Sequence, residues 1–325
     1  MRFNTYKQLV IGLFFIVFSQ NILANKQDSN QSLQVAQQLL AEEKFDQSFK
    51  LFEALAKNNH SLANMTLGLF YKLGWGKVEK NNSQACHWFY QAALSEIPQA
   101  QKEFADCINF NYLAAPLESQ LTDVESLPSY WYKKAFENGL HDAGCDIGRL
   151  YLDSKWQNQD IKKVIEWCTP AAERSAVAAQ ITLGDAYVLS SPLQNVARAE
   201  YWYQQAVQRN SGQAAFKLAN LYYSMVITQQ DDTDLMEKAV LMMETSSSLK
   251  YAPSYEKTAA IYWRKLATVD AENASSVLAK SYLWAKTAYQ VNPSQENLDF
   301  LMLITNEMPE SWQPKLDEQV NNFLD

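Results

Sequence analysis

The chain is short of the residues that break, cross-link or ligate. Among 325 residues there are nine Gly, nine Pro, four Cys and three His. So little Gly and Pro excludes collagen-like and low-complexity disordered character. No Cys-x-x-Cys occurs, which deprives a Cys/His metal centre of its usual spacing. Basic residues do not cluster, and the net charge is −8. Nucleic acid and anionic membrane surfaces need grouped Lys and Arg to neutralise phosphate, so neither is expected as a partner. His-Glu-x-x-His, Gly-x-Ser-x-Gly and phosphate-cradling Gly-rich loops are all missing. No cofactor and no enzymatic activity are expected.

The unbroken apolar run Leu9–Phe18 follows Arg2 and Lys7 and precedes Ile22-Leu23-Ala24. A basic start, a ten-residue apolar stretch and a small residue before Asn25 predict a secretory signal peptide over residues 1–24. Ten residues are too few to cross a bilayer, which takes about 20. No Cys follows the run to accept a lipid, and no membrane insertion is expected after cleavage. Losing Arg2 and Lys7 takes the net charge from −8 to −10. The predicted location is periplasmic or secreted.

What the chain does have is 47% hydrophobic residues, 13% aromatics and an internal repeat. Trp88, Trp131, Trp167, Trp202 and Trp284 are followed four residues later by Ala92, Ala135, Ala171, Ala206 and Ala288. Phe52 with Ala56, and Met242 with Ser246, keep the same register. Successive spacings are 36, 43, 36, 35, 40 and 42 residues. A second signature, with offsets 0, +4, +5 and +8, opens each unit. It reads Ala63–Leu67–Gly68–Tyr71, Ala100–Phe104–Ala105–Ile108, Ala143–Ile147–Gly148–Tyr151, Ala179–Leu183–Gly184–Tyr187, Ala214–Leu218–Ala219–Tyr222 and Ser254–Thr258–Ala259–Tyr262. Steps of three and four residues mark amphipathic helices. A period near 40 marks stacked helix pairs, each burying its apolar face on its neighbours. The predicted fold is therefore all-α, a solenoid of stacked helix pairs.

Gly68, Gly148 and Gly184 fall mid-helix, where Gly costs about 1 kcal/mol relative to Ala. That cost, met repeatedly at one register, implies a steric need for no side chain. Gly74, Gly76, Gly139 and Gly212 fall between helices, where positive φ is useful. Turns between units keep one length, whereas turns within units vary, the longest spanning Asn111–Ser129. The expected organisation is a cap pair over 25–60, the solenoid over 61–291, and two capping helices over 292–325.

In an oxidising compartment the cysteines gain a structural role. Cys107 and Cys145 fall on opposite edges of the apolar stripes of their first helices. One edge faces the preceding unit's second helix, which carries Cys86; the other faces the unit's own second helix, which carries Cys168. Pairs Cys86–Cys107 and Cys145–Cys168 satisfy both edges. A Cys/His site with His87 and His141 is the weaker alternative, because side chains of adjacent residues such as Cys86 and His87 diverge on a helix.

The segment from Leu67-Gly68 through Tyr71 and Gly74-Trp75-Gly76, followed by Ala85-Cys86-His87-Trp88 to Ala92-Ala93, resembles a Sel1-like repeat, a relative of the tetratricopeptide repeat. The resemblance covers roughly residues 60–290. Later units lack the Gly-x-Gly loop. It implies a right-handed α-solenoid of antiparallel helix pairs, a scaffold or adaptor of the bacterial envelope that takes a protein or peptide partner in its concave groove. It also implies an alternative, a peptidoglycan, β-lactam or polysaccharide binder that modulates a wall enzyme.

Ser247-x-x-Lys250 and Ser254-x-x-Lys257 echo a penicillin-binding motif, without the companion motifs that would complete it. Acid pairs such as Glu42-Glu43 and Asp231-Asp232 read as surface charge. The in-register tryptophans read as core packing. Trp75, in the Gly74-x-Gly76 loop, is the ring expected to stand exposed for ligand contact. Trp156, Trp263 and Trp312 also fall outside the register.

Overall fold

A left-handed residue stands four positions before every repeat anchor: Asn59, Glu96, Gly139, Ser175, Asn210 and Lys250, all with positive φ. The next N–H reaches back to a carbonyl of the helix just ended, as in Leu140 to Ala135, Ala176 to Ala171, Ser211 to Ala206 and Tyr251 to Ser246. One αL residue lets the chain reverse while capping the last turn. This is why the turns between units never change length. Gly139 alone uses the residue that adopts φ > 0 without strain.

The computed structural model describes residues 29–153, 158–190, 195–229 and 233–325. The expected signal peptide and Trp156 lie outside the described residues. Among those described there is no strand. The chain divides into two compact units, Met1–Asn158 and Gln159–Asp325. The division falls inside the repeat that begins at Ala143.

Unit 1 contains α1 (29–41), α2 (Phe45–Lys57), α3 (Ser61–Leu73), α4 (Asn82–Ala93), α5 (Pro98–Asn109), the short α6 (Ala115–Glu118), α7 (Pro128–Glu137) and α8 (Ala143–Asp153). Unit 2 contains α9 (Ile161–Glu173), α10 (Val177–Ser190), α11 (Val196–Val207), α12 (Gly212–Gln229), α13 (Thr233–Ser248), α14 (Tyr255–Lys265), α15 (Ala271–Val291), α16 (Gln295–Asn306) and α17 (Gln313–Leu324). Within each unit consecutive helices pack in pairs, and each pair packs on the next. The fold is an α-solenoid of helix pairs, as the repeat predicts. Helix starts follow local chemistry: Asn81, Asp160, Asp270 and Ser294 cap α4, α9, α15 and α16 with side-chain oxygens.

The anchors are the core. All six opening residues are buried, as are Leu67, Phe104, Ile147, Leu183, Leu218 and Thr258 four positions on. Gly68 and Gly184 are needed for space. A Cβ on Gly184 would lie 2.5 Å from Cδ1 and 2.8 Å from Cζ of Tyr203, and one on Gly68 would lie 3.0 Å from Cζ of Phe89. Gly212 departs from the expectation of a φ > 0 turn. It opens α12, where a Cβ would meet that of Tyr251 at 2.7 Å.

The tryptophans also depart from expectation. Trp131 is buried, but Trp88, Trp167, Trp202 and Trp284 are only partly so. The residue immediately after six of the seven repeat markers fills the core instead: Phe89, Tyr132, Cys168, Tyr203, Met243 and Ala285 are all buried, whereas Phe52 is itself the buried residue of the first unit. One step along a helix rotates a side chain by about 100°. The next residue therefore points at the small residue of the partner helix while the indole covers the edge. Trp131 is the exception because the long 111–127 segment folds over it, its Nε1 donating to the Glu125 carbonyl at 2.8 Å.

The C-terminal helices α16 and α17 pack on the last helix pair. Leu301, Ile304, Met308 and Leu316 close over Ala259, Tyr282 and Ala285 of the last pair.

Candidate interaction face

The repeat consumes its apolar residues between helices and leaves polar side chains where successive first helices run side by side. In unit 1, Lys72 of α3 pairs with Glu103 of α5 at 2.5 Å. Lys102 of α5 sits 2.9 Å from Asp106 and 3.7 Å from Asp146 of α8, and Arg149 also pairs with Asp146. In unit 2, Lys217 of α12 meets Asp185 of α10 at 2.9 Å, and Lys257 of α14 donates to Asn220 of α12 at 3.4 Å. The register repeats in unit 2, where the third residue after one anchor faces the sixth after the preceding anchor. Glu103 and Asp146 are buried, so removing a cationic partner would strand a desolvated carboxylate.

A second polar set ties helices together through tyrosine. Tyr132 donates to Asp106 at 2.5 Å, Tyr203 to Asp185 at 2.6 Å, Tyr222 to Glu200 at 2.6 Å and Tyr282 to Asp317 at 2.7 Å. Tyr262 donates to Glu244. Burial, reinforced by the neighbouring carboxylate, pushes the phenols of Tyr132, Tyr203, Tyr222 and Tyr282 far above the ordinary tyrosine range. They act as fixed hydrogen-bond donors. The Tyr–Asp part of this pattern was legible, since an acid six residues after an anchor precedes Tyr132 and Tyr203 at the core position.

Three hollows in unit 2 adjoin one another through shared lining residues and make a cleft lined by α12, α13, α14, α15 and α17. The first, about 570 Å³, is mainly apolar and includes Tyr223, Met236, Leu241 and Ile261. It shares Glu244 and Lys265 with a polar hollow of about 560 Å³. That one shares Ser276 and Lys280 with a third, about 470 Å³, walled by Trp312 and Lys315. No sequence signal marked this cleft, because its walls lie on helices up to about 90 residues apart and come together only through stacking.

The expected site residues divide as follows. Cys86 and Cys107 are bonded, with Cα atoms 5.8 Å apart. Cys145 and Cys168 are also in disulfide linkage, so no cysteine is free. Among the described residues no group of three His, Cys, Asp or Glu is arranged to hold a metal. Trp75 does not stand free. It is half-buried, stacked on Phe45 at 6.0 Å and edge-on to Phe70 at 5.3 Å. A ligand stacking on that face would have to displace Phe45. Ser247 and Ser254 are buried and hydrogen-bonded to each other at 2.8 Å, with Thr258 completing a hydroxyl cluster. Lys257 lies instead over the Phe216 ring at 4.6 Å, and Lys250 over Phe323 at 5.4 Å. Neither Ser-x-x-Lys brings its serine and lysine together as nucleophile and base.

No protein-family model matches the chain. No curated protein matches either. Solved structures do. A protective antigen present in uropathogenic Escherichia coli strains, displaying an SLR fold, superposes with a TM-score of 0.61 at 18% identity. The match covers 85% of this chain and 56% of that one, so this chain spans little more than half the antigen's length. A Sel1 repeat protein from Oxalobacter formigenes gives a TM-score of 0.59 at 22% identity, covering 80% of this chain and 100% of that one. The fold is the Sel1-repeat fold. In this Sel1-repeat fold, the first-helix ladder and the unit 2 hollows are the polar and open surfaces left once the hairpins have packed.

Proposed function

We propose that this chain is a non-catalytic interaction scaffold of the bacterial cell envelope, holding a protein or peptide partner on the face made by its first helices. The observation that carries this reading is the repeat itself. Every anchor, and the residue after each marker from Trp88 to Trp284, is spent on helix packing. The ladder and the cleft remain as organised surfaces. In the same reading, residues 1–24 are a cleaved signal peptide, 25–60 an N-terminal cap, 61–291 the repeat array and 292–325 the C-terminal cap. Disulfide linkage of all four cysteines supports an oxidising compartment, where such bonds persist.

The test is photo-crosslinking in intact bacteria, with a benzophenone amino acid at Tyr223 on the cleft and, as a control, at Tyr201 on the outer side of α11. A discrete adduct with an envelope protein from Tyr223 and none from Tyr201 supports the scaffold. No adduct from the cleft position of a folded, exported chain overturns it. Recovery of the chain in the cytoplasm with reduced cysteines overturns the export.

A further inference from the structure

The unit 2 cleft combines an apolar end with a row of cations, in a chain whose net charge is −8. Its apolar end exposes Leu241 (56%) and Met236 (38%) beside Tyr223. Arg264 borders that end, its Nη1 donating to the Tyr223 hydroxyl at 3.3 Å. Lys265, Lys280 and Lys315 follow along the cleft.

Two of the three acids that line the same walls are already engaged. Glu244 accepts from Tyr262 and from Lys280 at 3.2 Å. Asp270 caps α15, accepting from the Asn273 backbone at 3.0 Å and its side chain at 2.8 Å. Glu237 stands at the apolar end. Lys280 also donates to the Tyr262 hydroxyl at 3.0 Å. An ammonium carries three hydrogens, so one remains for a ligand. Lys265 and Lys315 pair with no acid among the described residues.

We infer that this cleft takes an extended acidic peptide segment. A large apolar side chain of the peptide enters between Tyr223 and Leu241, and its carboxylates lie along Lys265, Lys280 and Lys315. This names the partner chemistry within the scaffold reading and rests on it. Charge complementarity selects the acid, because a basic peptide would face the ammonium groups of Lys265 and Lys315, which no acid neutralises among the described residues. The apolar end selects a peptide over a uronic-acid polysaccharide, which offers no aliphatic side chain to fill it.

The experiment is selection of a displayed random dodecapeptide library on the full chain, run in parallel on the Lys265→Glu/Lys315→Glu double variant. Both lysines are exposed, and circular dichroism checks that the variant keeps its helices. The expected result is enrichment of peptides rich in Asp and Glu around one or two large apolar residues. A selected peptide should bind the variant at least tenfold more weakly and lose affinity as salt rises. Enrichment of neutral or basic peptides, or equal affinity for the variant, overturns the acidic-peptide inference and leaves the scaffold reading standing. No peptide enrichment, together with binding of soluble peptidoglycan or alginate, overturns both.

Discussion

Adding a single methyl group to Gly184 tests the packing logic of the repeat. In an isolated helix, Gly184→Ala would stabilise by about 1 kcal/mol through lower backbone entropy in the unfolded chain. Here the new Cβ would sit 2.5 Å and 2.8 Å from atoms of the Tyr203 ring. Ordinary contact begins near 3.5 Å, so the ring must move by most of an ångström. It has nowhere to go, being buried and held to Asp185 by a 2.6 Å hydrogen bond. Overpacking of this kind costs about 1–3 kcal/mol, and the pinned ring places it at the upper end. The net effect expected is destabilisation by about 2 kcal/mol, or a drop of roughly 4–8 °C in the melting of unit 2. Calorimetry on the full chain reads it directly. The decisive measurement is the same substitution in a Tyr203→Leu background, where the obstacle is gone. There Gly184→Ala should change sign and stabilise by about 1 kcal/mol. If Gly184→Ala stabilises the parent, or destabilises both backgrounds equally, the close approach is not why Gly occupies this position.

Gly139→Ala provides the contrast, because a Cβ there would meet nothing within 4 Å while φ is +102°. Its expected cost of about 1 kcal/mol is backbone strain alone, and Glu96→Gly at the equivalent turn should stabilise by about 0.5 kcal/mol, both read by urea denaturation. Replacing Cys86 and Cys107 with Ala should cost about 3 kcal/mol, the chain-entropy value for a loop closed across a separation of 21 residues; non-reducing peptide mapping of the parent should recover that bridge and find no free thiol. Buried tyrosines set an alkaline limit. Their pKa values are raised in the folded state, so their contribution is intact below the unfolded value of about 10 and is lost as pH climbs beyond it. Melting temperature should therefore fall more steeply between pH 10 and 11.5 in the parent than in Tyr203→Phe; equal slopes would refute the coupling.

The helical hairpins were readable because their signals are local. Ala63, Leu67 and Gly68, or Ala179, Leu183 and Gly184, share one helix, and the spacing that buries one buries the rest. The fixed turn was readable as a length but not as a conformation, since Glu96, Ser175 and Lys250 carry no sign of the αL backbone they adopt. The disulfide Cys86–Cys107 was deducible from register, because adjacent helices of a repeat must meet along one stripe. The stacking of Phe45 on Trp75 was not readable, because a ring in a Gly-flanked loop gives no hint of the residue across from it.

By itself, then, the order of residues determined the helix pairs, their period and the small positions where they touch, all set by burial along single helices. Only the tertiary structure decided which aromatic entered the core. Choosing Tyr203 over Trp202 depends on how the partner helix crosses, and neighbours along the chain cannot encode that. It also decided where the cations gather. Lys265, Lys280 and Lys315 lie on three helices, and only the stacking of those helices sets them along one cleft.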